Sequence, residues 1–172
     1  KQGGFFFTSS DHEKLLARHK TYMDQSVPSG NAIAAFALLR LFAFTQNKNY
    51  FDVAEKTLQV FSESMEENSF STGNLIAAAD FYIRKPKEIV VLGEMGSSEL
   101  ENLLAKIYRF YLPNKIVLVV DPENPPPQTS PRPLDLARGR ISMDGKPTVY
   151  ICRDNTCSLP LTDWEEIEKA LL

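Results

Sequence analysis

The sequence predicts an α+β chain, with a helical first part and a small α/β second part. Three observations predict it. Residues 31–84 hold successive segments whose apolar side chains recur at helical spacing. Beyond them Ile89–Leu92 is a short continuous apolar run, the mark of a strand buried on both faces, and Ile116–Val120 and Thr148–Cys152 read as two further strands. Between the two regimes stands Lys85-Pro86, where a helix is expected to stop. The expected parts are therefore residues 1–85 and 86–172.

Taken in order, GGFFFT (3–8) reads as a short strand after a glycine turn. Residues 9–28 are polar, with a helical turn expected over Asp11–Arg18. Pro28-Ser29-Gly30 breaks the chain, and Ser29 or Asn31 can cap the helix that begins there. Residues 31–45 are apolar almost all the way round, with Arg40 the only charge, so this helix is expected to be enclosed on nearly every side. Residues 50–67 differ: Phe51, Ala54, Leu58, Phe61 and Met65 form one stripe, and Glu55, Lys56, Gln59, Glu63 and Glu66 lie off it, as on a helix with one wet face. Residues 74–84 return to the enclosed type, interrupted by Asp80. The order inner, outer, inner suits concentric helical hairpins, as in an α/α toroid, because one shell is sandwiched and the other is wet. A bundle with one central helix accounts for the same pattern.

Beyond Pro86, the run Ile89–Leu92, a Gly93-Glu94-Met95-Gly96 turn, an amphipathic helix over 98–111 and the run Ile116–Val120 make a βαβ unit, so its two strands should be parallel. Ser98 and Glu101 are read as the capping box of that helix. The Pro-rich stretch 122–133 is expected to be a loop of polyproline character and the most mobile interior segment. A short helical turn is expected over 134–140. A third strand, Thr148–Cys152, precedes a last helix that starts at Thr162-Asp163-Trp164-Glu165.

Composition narrows the partners. Apolar residues make up 43% of 172, enough for one ordinary domain or two small ones. A net charge of −3 without a Lys/Arg cluster argues against nucleic acid and against an anionic membrane surface. No apolar run reaches the length of a membrane span, since 32–44 is broken by Arg40. The start KQGGFFFTSSDHE lacks the pattern of a secretory leader and an initiator Met, so the expectation is a piece of a longer, cytoplasmic protein. The two cysteines, five apart, fit a reducing compartment.

Few residues carry a chemical signature. Gly93-x-x-Gly96-Ser97-Ser98 sits where phosphate loops sit but lacks a third glycine and a lysine, so tight-turn chemistry explains it better. Cys152 and Cys157 are spaced wrongly for a C-x-x-C motif and, with two distant histidines, make a poor zinc set. No cofactor or metal is expected. Reduced thiols are the default for the pair, a redox-sensitive bridge the alternative. His12 and His19, two helical turns apart, could share a face among Asp11, Glu13, Arg18 and Lys20, yet no known catalytic order is legible. Asp24, Ser29 and Asn31 gather at the mouth of the enclosed helix. They suit turn and capping duty, and they also suit hydrogen bonding to a polyol, with Asp24 an acid or base if burial raised its pKa.

RHKTYMDQSVPSGNAIAAFALLRL (18–41), YLPNKIVLVVD (111–121) and TVYICRDNTCSLPLTDWEEIEKALL (148–172) together resemble, in order, blocks of the thioredoxin-domain-containing proteins related to spermatogenesis-associated protein. Arg18, Lys20, Asp24, Pro28, Ser29, Gly30 and Asn31 match that family's first motif; Gln25 and Ser26 replace its Gly-Ala, which removes backbone freedom from the loop, and Ala32 replaces its Ser. Cys152, Asn155, Cys157, Pro160, Thr162 and Asp163 match its closing motif. The resemblance implies the last hairpins of an (α/α)6 toroid followed by a small three-stranded α/β unit. It also implies a missing thioredoxin-like domain and a missing remainder of the toroid as partners, and a fold shared with sugar epimerases and six-hairpin glycosidases. The leading expectation is a carbohydrate-binding or sugar-modifying module, inactive in isolation, with Asp24 catalytic and Arg18, Lys20, Ser29 and Asn31 contacting the sugar. The alternative is a non-catalytic interaction or thiol-redox module in which Cys152 and Cys157 exchange with the thioredoxin-like domain.

Overall fold

The computed structural model describes residues 3–13, 16–125, 136–153 and 156–172. The chain divides into two compact units, Lys1–Arg84 and Lys85–Leu172. Among the described residues it forms six α-helices and one four-stranded mixed sheet, an α+β fold.

Unit 1 is helical. Helix α1 (Gly30–Thr45) starts where the Ser29 hydroxyl accepts the Ala32 N–H, and ends at Gln46, whose left-handed backbone (φ 53°) returns its N–H to the Phe42 carbonyl. Asn47 then caps α2 (Lys48–Val60), so two residues make the hairpin turn. The single helix expected over 50–67 is broken. At Phe61 the backbone leaves helical geometry, and α3 (Ser62–Glu67) comes after it. Phe61 is buried and stacks on Tyr22 at 5.4 Å, so the break aims a large ring at the arm preceding α1. A 3-10 turn (Ser69–Thr72) leads into α4 (Gly73–Arg84). Lys85, at φ 55°, and Pro86 end it.

Helix α1 packs against both α2 and α4. Ala32, Ala35 and Ala78 are fully buried, and such small side chains let helix axes approach closely. Phe81 of α4 meets Phe36 of α1 edge-on at 5.2 Å, Phe42 meets Phe51 at 5.0 Å, and Phe51 stacks on Tyr82 at 5.5 Å. Burying Phe81 alone contributes about 2–3 kcal/mol. Arg40, the lone charge of α1, lies 5.5 Å from the Phe36 ring, a cation over an aromatic face. The expectation that α1 is enclosed on nearly every side is not met in this chain. Ile33, Ala37 and Leu41, one stripe at a spacing of four, are exposed, and α4 likewise exposes Ile76, Ala77 and Ile83. Hydrophobicity around the whole helix says that every side is to be covered; these helices are covered on one.

Unit 2 is built on strand β1 (Lys87–Leu92). It runs parallel to β2 (Lys115–Val120) and antiparallel to β3 (Thr148–Arg153), which pairs with a fourth strand, β4 (Thr156–Cys157); the order is β2-β1-β3-β4. The sequence predicts three strands, and the two-residue β4 is the addition. Helix α5 (Ser98–Arg109) connects β1 to β2, and α6 (Trp164–Leu171) closes the chain. One sheet face packs Ile89, Val91 and Val149 against Leu100 and Ile107 of α5 and Ile167 and Leu171 of α6. The other packs Val90, Leu92, Val120 and Tyr150 with Leu136 and Ala137. Strand β1 is thus buried on both faces, as its continuous apolar run requires. The cap of α5 is Ser97, one residue before the expected Ser98, and Asp163 caps α6 by accepting the Glu165 and Glu166 N–H groups. The strand starts carry paired lysines. Lys87 and Lys115 are register partners. Lys87 Nζ donates to the Leu171 carbonyl and, at 3.4 Å, to that of Ala170; Lys115 Nζ donates to the Phe110 carbonyl at 3.0 Å. Each ammonium therefore sits on the negative end of a different helix. Burial holds both lysines below their ordinary pKa.

The Pro-rich expectation over 122–133 falls largely outside the described residues, whereas residues 136–140 of the helical turn expected over 134–140 are described and do turn. Of the latter, a turn bond from the Arg140 N–H to the Ala137 carbonyl is seen at 3.1 Å.

Candidate functional site

The residues at the mouth of α1 are brought together, and their hydrogen bonds are directed inward. GGFFFT forms no strand. Its Phe7 N–H does reach the His19 carbonyl at 2.9 Å, the start of an antiparallel pairing whose next partners would be Phe5 and Thr21. There the Asn31 side chain intervenes. Its Oδ1 accepts the Phe5 N–H at 2.6 Å, and its Nδ2 donates to the Phe5 carbonyl at 2.9 Å and the Thr21 carbonyl at 2.7 Å. A carboxamide thus stands where a partner strand's peptide group would, and it uses both of its donor hydrogens. Asn31 is 2% exposed.

Asp24 serves two helices. Oδ1 accepts the Ser29 N–H and Oδ2 the Asn74 N–H, both at 2.8 Å, while its own N–H reaches the Ser71 carbonyl at 2.7 Å. It therefore shapes the turn before α1 and caps α4 from fifty residues away. Burial pushes its carboxyl upward, but the Asn74 and Ser29 N–H bonds outweigh burial and hold it below the ordinary carboxylate value. Such a group is ionised at neutral pH, a base or an acceptor and not an acid.

Arg18 and Lys20 flank one ring. The guanidinium lies 4.2 Å and the ammonium 4.7 Å from the Phe6 centroid. Arg18 also donates to the Thr8 carbonyl at 2.6 Å, and Lys20 to the Gly3 carbonyl. Gly3 (φ 143°) lies against α2 so closely that an added Cβ would sit 2.5 Å from the Lys56 carbonyl oxygen, so the arm needs glycine there. The helical turn expected over Asp11–Arg18 is absent among the described residues. His12 and His19 therefore share no helix face.

In unit 2 the cysteines are joined as a disulfide, against the expectation of free thiols. The reason lies in the register. Ile151 and Ser158 exchange bonds, the Ser158 N–H to the Ile151 carbonyl and the Ile151 N–H to the Ser158 hydroxyl, so Cys152 and Cys157 are the next, non-hydrogen-bonded pair. In that pair the chains come closest, and the two Cα atoms are 4.0 Å apart. Asp154 and Asn155, between the cysteines, lie outside the described residues. Arg140 is a site residue that sequence reasoning misses. One of its Nη atoms is 3.0 Å from the Cys152 sulphur and 2.9 Å from the Cys157 sulphur.

The turn between β1 and α5 already holds a carboxylate of the chain itself. Asp121, at the end of β2, already accepts the Met95 N–H at 3.2 Å and the Glu123 N–H at 2.9 Å. The Met95 bond above all holds its carboxyl low. The chain supplies its own anion to that loop. An open groove of about 340 Å³ lies between α5 and α6, lined by Glu99, Leu103, Lys106, Lys146 and Trp164 among others. Among the described residues no cluster of His, Cys, Asp and Glu is arranged to hold a metal, and no helix is long and apolar enough to cross a membrane.

These features define an α+β chain with a helical unit, a small mixed-sheet unit and a disulfide-closed hairpin. It is homologous to human spermatogenesis-associated protein 20, at 30% identity over 172 residues, which covers 99% of this chain and 22% of the human protein. The mouse protein of the same name is 29% identical over 170 residues, covering 98% of this chain and 21% of its own length. An uncharacterized protein of Caenorhabditis elegans is 22% identical over 166 residues, covering 96% and 22%. The chain thus spans about a fifth of the length of the curated relatives it matches. No protein-family model matches the sequence.

Proposed function

We propose that this chain is an assembly module of a longer protein, with α1 and α4 as inner helices of an α/α toroid whose remaining helices cover their open faces. One observation carries the reading: two helices built to be enclosed leave Ile33 48%, Leu41 44% and Ile83 73% exposed. A helix apolar all round belongs inside a larger assembly, and the alignment with relatives nearly five times as long supplies an occupant. The thioredoxin-like domain implied by the sequence resemblance is the further proposed partner. On this reading the isolated chain catalyses nothing.

The test is substitution of Ile33, Leu41 and Ile83 by Lys, together, in this chain and in the longer protein. The isolated chain should keep its helix content and lose any self-association. The longer protein should lose stability. An unchanged longer protein would sink the proposal.

A sugar-handling role is the second reading, and it belongs to the longer protein. Exposed Phe6 with Arg18 and Lys20 against its ring favours it, since an apolar ring bordered by donors suits a sugar's C–H and hydroxyl groups. Ser29 and Asn31 would shape that surface, and Asp24, ionised, would act as acceptor or base. Arg18→Ala should abolish any thermal shift that mono- or disaccharides give the longer protein. A set of sugars that shifts neither form removes this reading.

A further inference from the structure

Independently of the assembly, we propose that the Cys152–Cys157 bridge is a redox-active site, opened by a dithiol reductant and served by Arg140 as the partner of the departing thiolate. A neutral disulfide has no electrostatic need of a cation. Yet Arg140 places one nitrogen within 3.0 Å of both sulphurs, and among the described residues its buried Nε has no hydrogen-bond partner. Among the described residues no carboxylate pairs with it. It is held in place from below: its guanidinium carbon lies 5.5 Å from the Tyr150 ring centroid, and the Tyr150 hydroxyl donates to the Ile141 carbonyl at 2.9 Å and accepts the Ile141 N–H at 3.2 Å. This is a positive group fixed where negative charge arises only when the bond opens.

The two sulphurs are unequal. Cys152 is 1% exposed, whereas Cys157 lies on the exposed two-residue edge strand. The cysteine on the exposed strand takes the attack. A thiolate of the dithiol attacks Cys157 Sγ; the Cys152–Cys157 bond breaks, a mixed disulfide forms on Cys157, and Cys152 leaves as a thiolate against Arg140. The second thiol of the reductant, deprotonated, attacks its own sulphur in that mixed disulfide and releases Cys157. The reductant becomes a disulfide. The chain gains two electrons and up to two protons, one remaining in solvent while Cys152 stays ionised.

The experiment equilibrates the full chain in glutathione buffers of graded ratio, traps thiols with acid and counts them by mass. The wild-type bridge should open reversibly with the fold retained. Arg140→Met should lower the equilibrium constant for reduction about tenfold, equal to about 30 mV for this two-electron couple. Arg140→Lys should lie between. A wild-type bridge that glutathione and dithiothreitol leave closed in the folded chain overturns the proposal, as do cysteines that never bridge under mild oxidation. A midpoint unmoved by Arg140→Met overturns the role of Arg140. A second readout needs no variant: in partly reduced wild type the glutathione adduct should sit on Cys157, and an adduct on Cys152 reverses the assignment.

Discussion

The two units solve the same problem differently. Unit 2 covers both faces of β1, with α5 and α6 on one side and Tyr150, Leu136 and Ala137 on the other. Unit 1 covers one side of α1 and α4 and leaves the opposite stripes bare. The contrast shows that apolar content is no measure of self-sufficiency. What matters is whether the chain brings enough elements to close around each apolar surface.

Four experiments would break or sharpen that contrast, and the largest effect is expected in the closed unit. Ile89→Ala removes a fully buried side chain from the centre of the sheet and should destabilise unit 2 by about 3 kcal/mol. Trp164 packs in the same core, so urea unfolding tracked by its fluorescence reads this unit directly. Asn31→Ala comes next, at about 2 kcal/mol, because it strands the Phe5 and Thr21 backbone groups. That loss should appear in helical circular dichroism and leave the Trp164 transition in place; a shift of both together would mean that the units unfold as one.

Acid tests a feature the units share. Asp24 and Asp121 are both held low by backbone N–H groups. A folded-state pKa below the unfolded value, about 3.9, contributes stability above that value, lost as pH falls through the folded one. Stability should therefore decline below about pH 4, and Asp24→Asn and Asp121→Asn should each flatten part of the decline. Variants as acid-sensitive as the wild type would refute this. The smallest effect belongs to the open stripe: Ile83→Lys should change the stability of this chain by no more than about 0.5 kcal/mol. A larger loss would mean that the stripe is covered in this chain.

Where the sequence is readable, a local rule decides the outcome. Ser29 before an Ala- and Leu-rich run locates α1, and continuous apolar runs locate β1, β2 and β3. Where it misleads, the deciding partner is distant. GGFFFT has the composition of a strand, but its would-be partner at Thr21 is intercepted by a carboxamide from α1. The pair Ser97 and Ser98 offers two equal caps, and local chemistry does not choose between them. A two-residue strand such as β4 has no periodicity to detect, yet its register brings the cysteines together. Asp24 is legible as a capping residue, not as the cap of a helix starting fifty residues on. Arg140 has no signal, being twelve residues from Cys152 and brought to it by the path of the chain.

The lysines at the strand starts carry one further consequence. Because Lys87 and Lys115 each hold the carbonyl end of a helix, they act as alignment pins between layers. Sliding β1 by the one position that puts Glu88 in the place of Lys87 would present a carboxylate to the oxygens of α6 and turn attraction into repulsion. A frame shift in that direction, which the apolar run Ile-Val-Val-Leu would tolerate, is thereby opposed by a single charge at its threshold.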